Sequence, residues 1–201
     1  MDSPKQNKRP PLRKLEQVQV PEDGSFRLAV VSDTHSAPHG RALETISKLH
    51  PDAILHAGDI GELTLLDDLE RICPVYAVRG NIDIRHPKLP DLLVLELVSK
   101  EKVVLRILAL HVGVYGPRLR AEVARRARAE KASVVICGHS HVPLIASERG
   151  LVVFNPGSMG PRRAGLPIVF GMLELTAGDF RLRHIDCETG TLWKPPAFPG
   201  A

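Results

Sequence analysis

The chain has few aromatic residues: five Phe, two Tyr and one Trp among 201 residues. A protein that stacks single-stranded bases along a groove needs a series of aromatic platforms, so this class of function is disfavoured. Long apolar stretches are also missing. No run approaches the roughly 18 residues that span a bilayer, and no apolar segment follows the basic amino terminus. The sequence therefore predicts neither a membrane span nor a signal peptide.

Cysteine is scarce as well, with only Cys73, Cys137 and Cys187. Their number is odd, they form no Cys-x-x-Cys pair, and they lie mostly in apolar runs, a pattern typical of reduced, buried thiols. We therefore expect a fold that needs no disulfide framework and a reducing, cytoplasmic location.

Excess charge is confined to the amino terminus. The formal net charge is +4, yet the first fourteen residues hold five basic residues and one acidic residue, and the rest of the chain has 22 of each sign. Because the body carries no net charge, nucleic acid is not an expected partner. The remaining composition, 43% hydrophobic and 25% charged, is that of a globular protein.

The length of 201 residues predicts one compact domain with irregular ends. Residues 1–26 contain four prolines among charged and amide residues, without a sustained hydrophobic period, and are predicted to be a disordered basic leader. The sequence from Lys194 onward has a similar composition, and residues 191–201 are predicted to be a flexible tail. The domain itself is expected to span residues 27–190.

Short apolar runs alternate with amphipathic segments in the first half of this domain. Leu28–Val31, Ala53–Leu55 and Val75–Val78 are typical of strands covered on both faces, and segments with helical spacing separate them. Farther along the chain strands dominate, with one helix predicted over residues 117–131 and a hairpin turn at 176–179. A chain that begins β-α-β and ends in strands predicts an α/β fold in which two sheets pack together, with helices outside.

Polar clusters follow the apolar runs at the points where the predicted strands end. They are Asp33-Thr34-His35, Gly58-Asp59, Gly80-Asn81, His111 and Gly138-His139-Ser140-His141. Because the carboxyl ends of strands line the ligand crevice of an open α/β sheet, these clusters are expected to meet there. Carboxylate, amide and imidazole donors without a thiolate suit Mn²⁺, Fe, Zn²⁺ or Mg²⁺, so the sequence predicts a metal site.

Each cluster has an ordinary structural interpretation when it is taken alone. Asp33 belongs to a residue type that caps helices and occupies turns, and Gly58-Asp59 and Gly80-Asn81 are common turn dipeptides. His139 and His141 could be core histidines with satisfied hydrogen bonds. The metal-site hypothesis depends on the order of the five clusters, each directly after its own apolar run.

As a set, the five clusters resemble the motif blocks of the calcineurin-like metallophosphoesterase superfamily. The run Asn155-Pro156-Gly157-Ser158, the following Pro161-Arg162 and the short chain resemble its small prokaryotic phosphodiesterase branch, which is similar to the retromer small subunit. The resemblance covers about residues 27–188. It implies a four-layer αββα sandwich of two mixed β-sheets flanked by helices. It also implies a metal-dependent phosphoesterase, most simply a phosphodiesterase, with a dinuclear metal centre.

The resemblance further implies roles for individual residues. Two divalent ions are expected per chain, with manganese first and iron, zinc, nickel or magnesium as alternatives. One ion would be held by Asp33, His35, Asp59 and His141, and the other by Asp59, Asn81, His111 and His139. The catalytic group would be Asp59, Asn81 and His139, and the phosphate-ester substrate would be bound by Asn81 and Arg162. The paired ions would activate a hydroxide for in-line attack on phosphorus.

One position departs from the family pattern. Ile82 stands where the superfamily often has a histidine that serves the leaving group, and where the small branch commonly has a cysteine before an aspartate, here Asp83. Because isoleucine cannot donate a proton, the identity of the general acid is open. The alternative function is a non-catalytic protein-binding scaffold on the same fold, as the retromer resemblance allows. The resemblance also allows a homo-oligomer.

Overall fold

The structure, a computed structural model, describes residues 10–195 and contains fourteen strands and three helices in that range. The strands are β1 (Arg13–Gln19), β2 (Phe26–Val31), β3 (Ala53–His56), β4 (Val75–Ala77), β5 (Leu92–Ser99), β6 (Lys102–Leu110), β7 (Val114–Tyr115), β8 (Arg118–Leu119), β9 (Val134–Ile136), β10 (Leu144–Glu148), β11 (Leu151–Asn155), β12 (Val169–Thr176), β13 (Asp179–Asp186) and β14 (Leu192–Trp193). The helices are α1 (Ala42–Lys48), α2 (Thr64–Glu70) and α3 (Ala121–Ala129).

The strands form two six-stranded sheets and one small hairpin. The first sheet has the order β1-β5-β6-β9-β11-β10, the second has the order β14-β13-β12-β2-β3-β4, and β7 pairs with β8. Both large sheets are mixed: β2, β3 and β4 are parallel while β12 is antiparallel to β2, and β6 and β9 are parallel while β5 is antiparallel to β6. The parallel strands of each sheet place their carboxyl ends at one edge.

Three apolar layers hold the elements together, and strand β2 shows how the sequence builds them. Its residues Leu28 and Val30 point into the core between the two sheets, whereas Ala29 and Val31 join the layer that α1 and α2 cover. The third layer packs α3, through Val123, against the outer face of the first sheet. The order helix, sheet, sheet, helix confirms the predicted four-layer αββα sandwich.

Two predicted elements illustrate what glycine does at turns. The helix predicted over residues 117–131 is shorter, beginning at Ala121, because β7 and β8 form a hairpin around Gly116, whose φ is +55°. The predicted hairpin between β12 and β13 is confirmed. Its two loop residues, Ala177 and Gly178, have φ values of +52° and +91°, as a two-residue turn between twisted strands requires.

The prediction of a disordered leader over residues 1–26 is wrong for residues 13–19. These residues form β1, which pairs in parallel with β5, and Val18 and Val20 pack into the core between the sheets. Two alternating valines are a weak sequence signal, and the partner strand lies 79 residues later in the chain, as the bond from Gln17 to Glu96 shows. Residues 1–9 of the predicted leader lie outside the described residues.

The prediction of a flexible tail over residues 191–201 is wrong at Leu192 and Trp193. These two residues form β14, which pairs with the end of β13, and the Trp193 ring lies 5.7 Å from the ring of His184. Residues 196–201 lie outside the described residues. Among residues 10–195, no helix has the length and apolar character needed to cross a membrane.

Candidate metal centre

The seven predicted ligands lie at the carboxyl ends of strands from both sheets. The loops after β2, β3 and β4 of the second sheet, and those after β6 and β9 of the first, carry them in the order Asp33, His35, Asp59, Asn81, His111, His139 and His141. The two sheets therefore contribute facing halves of one site, as their positions at strand ends predict.

Contacts across the sheet interface bring the inner ligands together. Asp33 Oδ1 lies 3.3 Å from His141 Nε2, and Asp59 Oδ1 lies 3.3 Å from His111 Nε2. The Nε2 atoms of His35 and His141 are also 3.3 Å apart. Donor atoms of Asp33, His35 and His141 lie within 4.8 Å of one another, as do those of Asp33, Asp59 and His111. Donor atoms at this spacing can share a cation.

Asn81 and His139 form the outer part of the same site. Asn81 Nδ2 lies 3.2 Å from His139 Nδ1, and both side chains are exposed to solvent. The His139 ring approaches that of His111 edge to face, with 5.3 Å between ring centroids. The structure thus brings all seven predicted residues into one cluster, with Asn81 and His139 at its mouth.

Two ligand residues have buried polar atoms without a hydrogen-bond partner among the described residues, and such atoms fit a metal ion. Asp33 Oδ1 and His111 Nε2 are two such atoms. Asp33 Oδ2 already accepts hydrogen bonds from Ser32 Oγ at 2.6 Å and from the His139 backbone at 3.0 Å. His111 Nδ1 donates to the Ala57 carbonyl at 2.8 Å, which leaves a lone pair on Nε2. Since buried polar atoms are normally paired, the free oxygen and nitrogen fit a metal ion.

The backbone of the ligand loops is strained. Left-handed φ values occur at Asp33 (+54°), His35 (+46°), Asp59 (+54°), His139 (+69°) and His141 (+59°). For residues with a Cβ this conformation costs about 1–3 kcal/mol each and persists only where the surroundings enforce it. Five of the seven predicted ligands share it. This concentration of strain indicates a site under functional constraint.

The charge states of Asp33, Asp59 and His35 also suit a cation. Burial, the largest influence, raises the pKa of Asp33, but the contacts with His141 and Ser32 outweigh it, so the pKa lies below the usual range. Burial also raises the pKa of Asp59, but the contact with His111 outweighs it, so this pKa lies below the usual range too. Burial lowers the pKa of His35. At neutral pH both aspartates are therefore carboxylates and His35 is neutral, which are the forms that bind metal ions.

Comparison with known proteins identifies the family. The calcineurin-like phosphoesterase superfamily domain matches residues 26–178. The chain belongs to this superfamily. A probable metallophosphoesterase of Methanocaldococcus jannaschii is 32% identical to this phosphoesterase over 141 residues, which is 67% of this chain and 69% of the relative. A probable metallophosphoesterase of Bacillus subtilis is 32% identical over 165 residues, which is 80% of this chain and 91% of the relative.

A solved structure shares the fold of this phosphoesterase. Vacuolar protein sorting 29 from Cryptosporidium parvum aligns with a TM-score of 0.69 and 17% sequence identity, over 85% of this chain and 95% of that one. At this identity the likeness concerns the fold alone. The predicted family and the predicted enzyme class are confirmed, since the curated relatives are named as metallophosphoesterases.

Asp83 has a larger part in the phosphoesterase than the sequence indicates. Its buried carboxylate accepts backbone N–H bonds from Ile60 at 3.1 Å, Gly61 at 3.0 Å and Gly80 at 2.8 Å. A Cβ at Gly80 would lie 2.0 Å from the Asp59 backbone nitrogen, so only glycine fits where the loops after β3 and β4 meet. Asp83 therefore connects, through hydrogen bonds, the loops that carry Asp59 and Asn81.

The run Asn155-Pro156-Gly157-Ser158 supports two other ligand loops. Asn155 Nδ2 donates to the Gly138 carbonyl at 2.7 Å, directly before His139. Ser158 Oγ donates to the Asp33 carbonyl at 3.0 Å. Neither side chain was predicted to support the site, although the run itself was part of the family resemblance. Its contribution is to hold the ligand loops in their strained conformation.

The two consecutive arginines of the phosphoesterase have different surroundings from those predicted. Arg162, predicted to bind substrate, is exposed and forms an ion pair with Glu188, which also lies 3.8 Å from His39. Arg163 instead reaches the site, with Nη2 lying 3.5 Å from His35 Nε2. Neighbouring residues in an extended loop point in different directions, and sequence alone does not show which one faces the ligands. Substrate binding by Arg162 stays a prediction, and Arg163 is the arginine that lies nearer to the ligands.

Proposed function

We propose that the protein is a metal-dependent phosphodiesterase that holds two divalent ions between its two sheets. The observation that carries the proposal is the pair of buried carboxylates, Asp33 and Asp59, each 3.3 Å from a histidine of the opposite sheet. Buried carboxylates with partner atoms left unpaired are costly unless a cation is bound. The residues of the site therefore fit the divalent metal ions that this family typically binds.

The donor set suggests how the ions would be held. One ion would take Asp33, His35, Asp59 and His141, and the other would take Asp59, Asn81, His111 and His139. Asp59 would serve both because its two oxygens face different histidines, with Oδ1 near His111 and Oδ2 3.9 Å from His35. Oxygen and imidazole donors suit Mn²⁺, which we place first, ahead of Fe, Zn²⁺, Ni²⁺ and Mg²⁺.

The reaction is hydrolysis of one phosphate-ester bond. Bound ions would supply Lewis acidity toward the phosphoryl group and activate a water molecule. A bond forms between the water oxygen and phosphorus while the bond from phosphorus to the ester oxygen breaks. The attacking water releases a proton to solvent, and the departing oxygen takes one from solvent because Ile82 has none to give. Arg163 would bind a phosphoryl oxygen through its guanidinium, and the exposed Asn81 and His139 would contact the substrate at the mouth.

The alternative is a protein-binding scaffold, which the likeness to vacuolar protein sorting 29 favours at the level of fold. A scaffold has no need for five strained ligand residues, or for a buried Asp33 whose carboxylate is bound by Ser32 and whose backbone carbonyl is bound by Ser158. These features favour the enzyme. The free thiols Cys137 and Cys187 are buried and Cys73 is partly buried, which supports the predicted reducing, cytoplasmic compartment.

The test is a phosphate-ester panel assayed after chelation and re-addition of each divalent metal, together with metal analysis. We expect about two ions per chain and restored diester hydrolysis, with Mn²⁺ most effective. Asp59→Asn should lose both hydrolysis and bound metal, whereas the exposed Asp68→Asn on α2 should lose neither. A protein that binds the ions but hydrolyses no ester in the panel would support the scaffold.

A further inference from the structure

Four exposed apolar side chains lie close in the chain to candidate ligands of the metal centre. Ile82, Val142, Ile84 and Tyr115 are 44%, 48%, 75% and 87% exposed. Ile82 directly follows Asn81, Val142 directly follows His141, and the other two lie within four residues of a candidate ligand. We call these four side chains the apolar rim. Loops at strand ends are usually polar, so an apolar rim there indicates a binding surface.

The fold holds the rim in this exposed state. The Asp83 side chain is buried under backbone hydrogen bonds, so the two isoleucines on either side of it face outward. The Ile82 backbone N–H donates to Asp59 Oδ1 at 3.1 Å, which places this residue next to a candidate ligand. Val142 is held by a bond from its backbone to Ser140 Oγ at 3.3 Å. The loop that carries Ile82 and Ile84 is therefore held by the same contacts with Asp83 and Asp59 that hold the ligand loops.

The site has a charged part as well. Arg163 lies beside His35, whereas Ile82 and Ile84 follow Asn81 in the same loop, and Asn81 contacts His139. A ligand that fits both surfaces is amphipathic, with a phosphoryl group at the ions and Arg163 and an apolar group on the rim. Ile82, Ile84 and Val142 carry no hydrogen-bonding side-chain group, so these three side chains do not complement a sugar or a nucleobase edge.

We propose that the rim binds an apolar ester substituent, aryl or alkyl, of a small phosphodiester substrate. The inference rests on the proposed phosphodiesterase function and names its substrate class. Tyr115 offers an aromatic face and the other three side chains offer aliphatic surface, which together suit a ring or a short hydrocarbon chain. A protein segment docking on the rim is the competing occupant, and the experiment separates the two.

The experiment measures binding without turnover. The full chain, loaded with Mn²⁺, is titrated calorimetrically with methyl-, butyl- and octylphosphonate, which cannot be hydrolysed as esters. Each methylene buried on the rim should tighten binding by about two- to fourfold. The double variant Ile84→Ser/Val142→Ser should lose this dependence on chain length. The control variant Val103→Ser/Val104→Ser removes exposed valines at the start of β6, the opposite end from His111, and should keep it.

The outcomes separate the inference from the function on which it rests. If methylphosphonate binds but longer chains bind no tighter, the rim inference is overturned and the phosphodiesterase proposal stands. If the rim variant keeps the dependence on chain length, the hydrocarbon binds elsewhere and the inference is also wrong, which leaves the rim to a protein partner. If no phosphonate binds the metal-loaded protein, both the rim inference and the proposed phosphoryl site fail.

Discussion

Replacing Asp83 by asparagine perturbs the hydrogen bonds that connect the loops after β3 and β4, and it hardly changes the size of the side chain. In the native protein Oδ1 accepts from Ile60 and Gly61 at 3.1 and 3.0 Å, and Oδ2 accepts from Gly80 at 2.8 Å. An asparagine has only one acceptor oxygen. If that oxygen stays with Ile60 and Gly61, the amide nitrogen faces the Gly80 N–H, and a donor opposes a donor.

The magnitude follows from these contacts. Hydrogen bonds to a charged group contribute about 1.5–3 kcal/mol each, so losing one and weakening two should lower the free energy of unfolding by about 3 kcal/mol. Because Gly80 directly precedes Asn81, the loop shift should also reach the metal site. Loss of a residue that orients metal ligands typically lowers metal affinity 10- to 100-fold, and we expect Asp83→Asn to fall in that range.

The assay combines urea unfolding with calorimetric Mn²⁺ titration of the full chain. The matched control is Asp68→Asn on α2, whose carboxylate forms an exposed ion pair with Arg71 at 2.7 Å. That variant should change unfolding by less than about 0.5 kcal/mol and leave metal affinity intact. Native stability and native metal affinity in Asp83→Asn would refute the idea that this carboxylate locks the loops.

Three further predictions concern the strand β1, a core histidine and the leaving group. Removing residues 1–20 should lower Tm by about 10 °C, because about 3 kcal/mol of stabilisation from burying Val18 and Val20 is lost. Removing residues 1–9 keeps β1 and should leave Tm unchanged. Equal Tm values for the two truncated proteins in scanning calorimetry would contradict this. Burial lowers the pKa of His56 from 6.5 to about 4, so the neutral form is favoured by folding and about 3 kcal/mol of stability should be lost as pH falls from about 6.5 to about 4. This loss should be absent in His56→Gln when unfolding is followed against pH, and an equal slope in both proteins would count against it. Aryl diesters should be hydrolysed much faster than alkyl diesters because Ile82 donates no proton, and Ile82→His should narrow the gap in kcat/KM; equal native rates would reveal another acid.

The parts of the molecule that the sequence predicts well are those with a contiguous signal. Strand β2 alternates between two apolar layers, so its four-residue apolar run and the polar Asp33 and His35 after it are recognisable together. The same is true of Asp59 and His111. Each ligand cluster is local, and the rule that strand ends meet at one edge supplies the three-dimensional step.

The parts that were missed depend on distant partners. Strand β1 contacts the core through Val18, and Val20 directly after it does the same, while the position of the strand is fixed by pairing with β5 far along the chain. Arg162 pairs with Glu188, 26 residues away, and this distant contact is not visible in the sequence around the two arginines. Asp83 was recognised only as a family match, because its three backbone donors come from loops that meet only in the folded protein.

The most direct test of the central claim is a crystal structure of the protein grown with Mn²⁺, measured at the manganese absorption edge. The account predicts two anomalous peaks between the sheets, both within about 2.0–2.3 Å of the Asp59 carboxylate, with Asp33, His35 and His141 around one and Asn81, His111 and His139 around the other. A single peak, or peaks that Asp59 does not bridge, would contradict the dinuclear assignment.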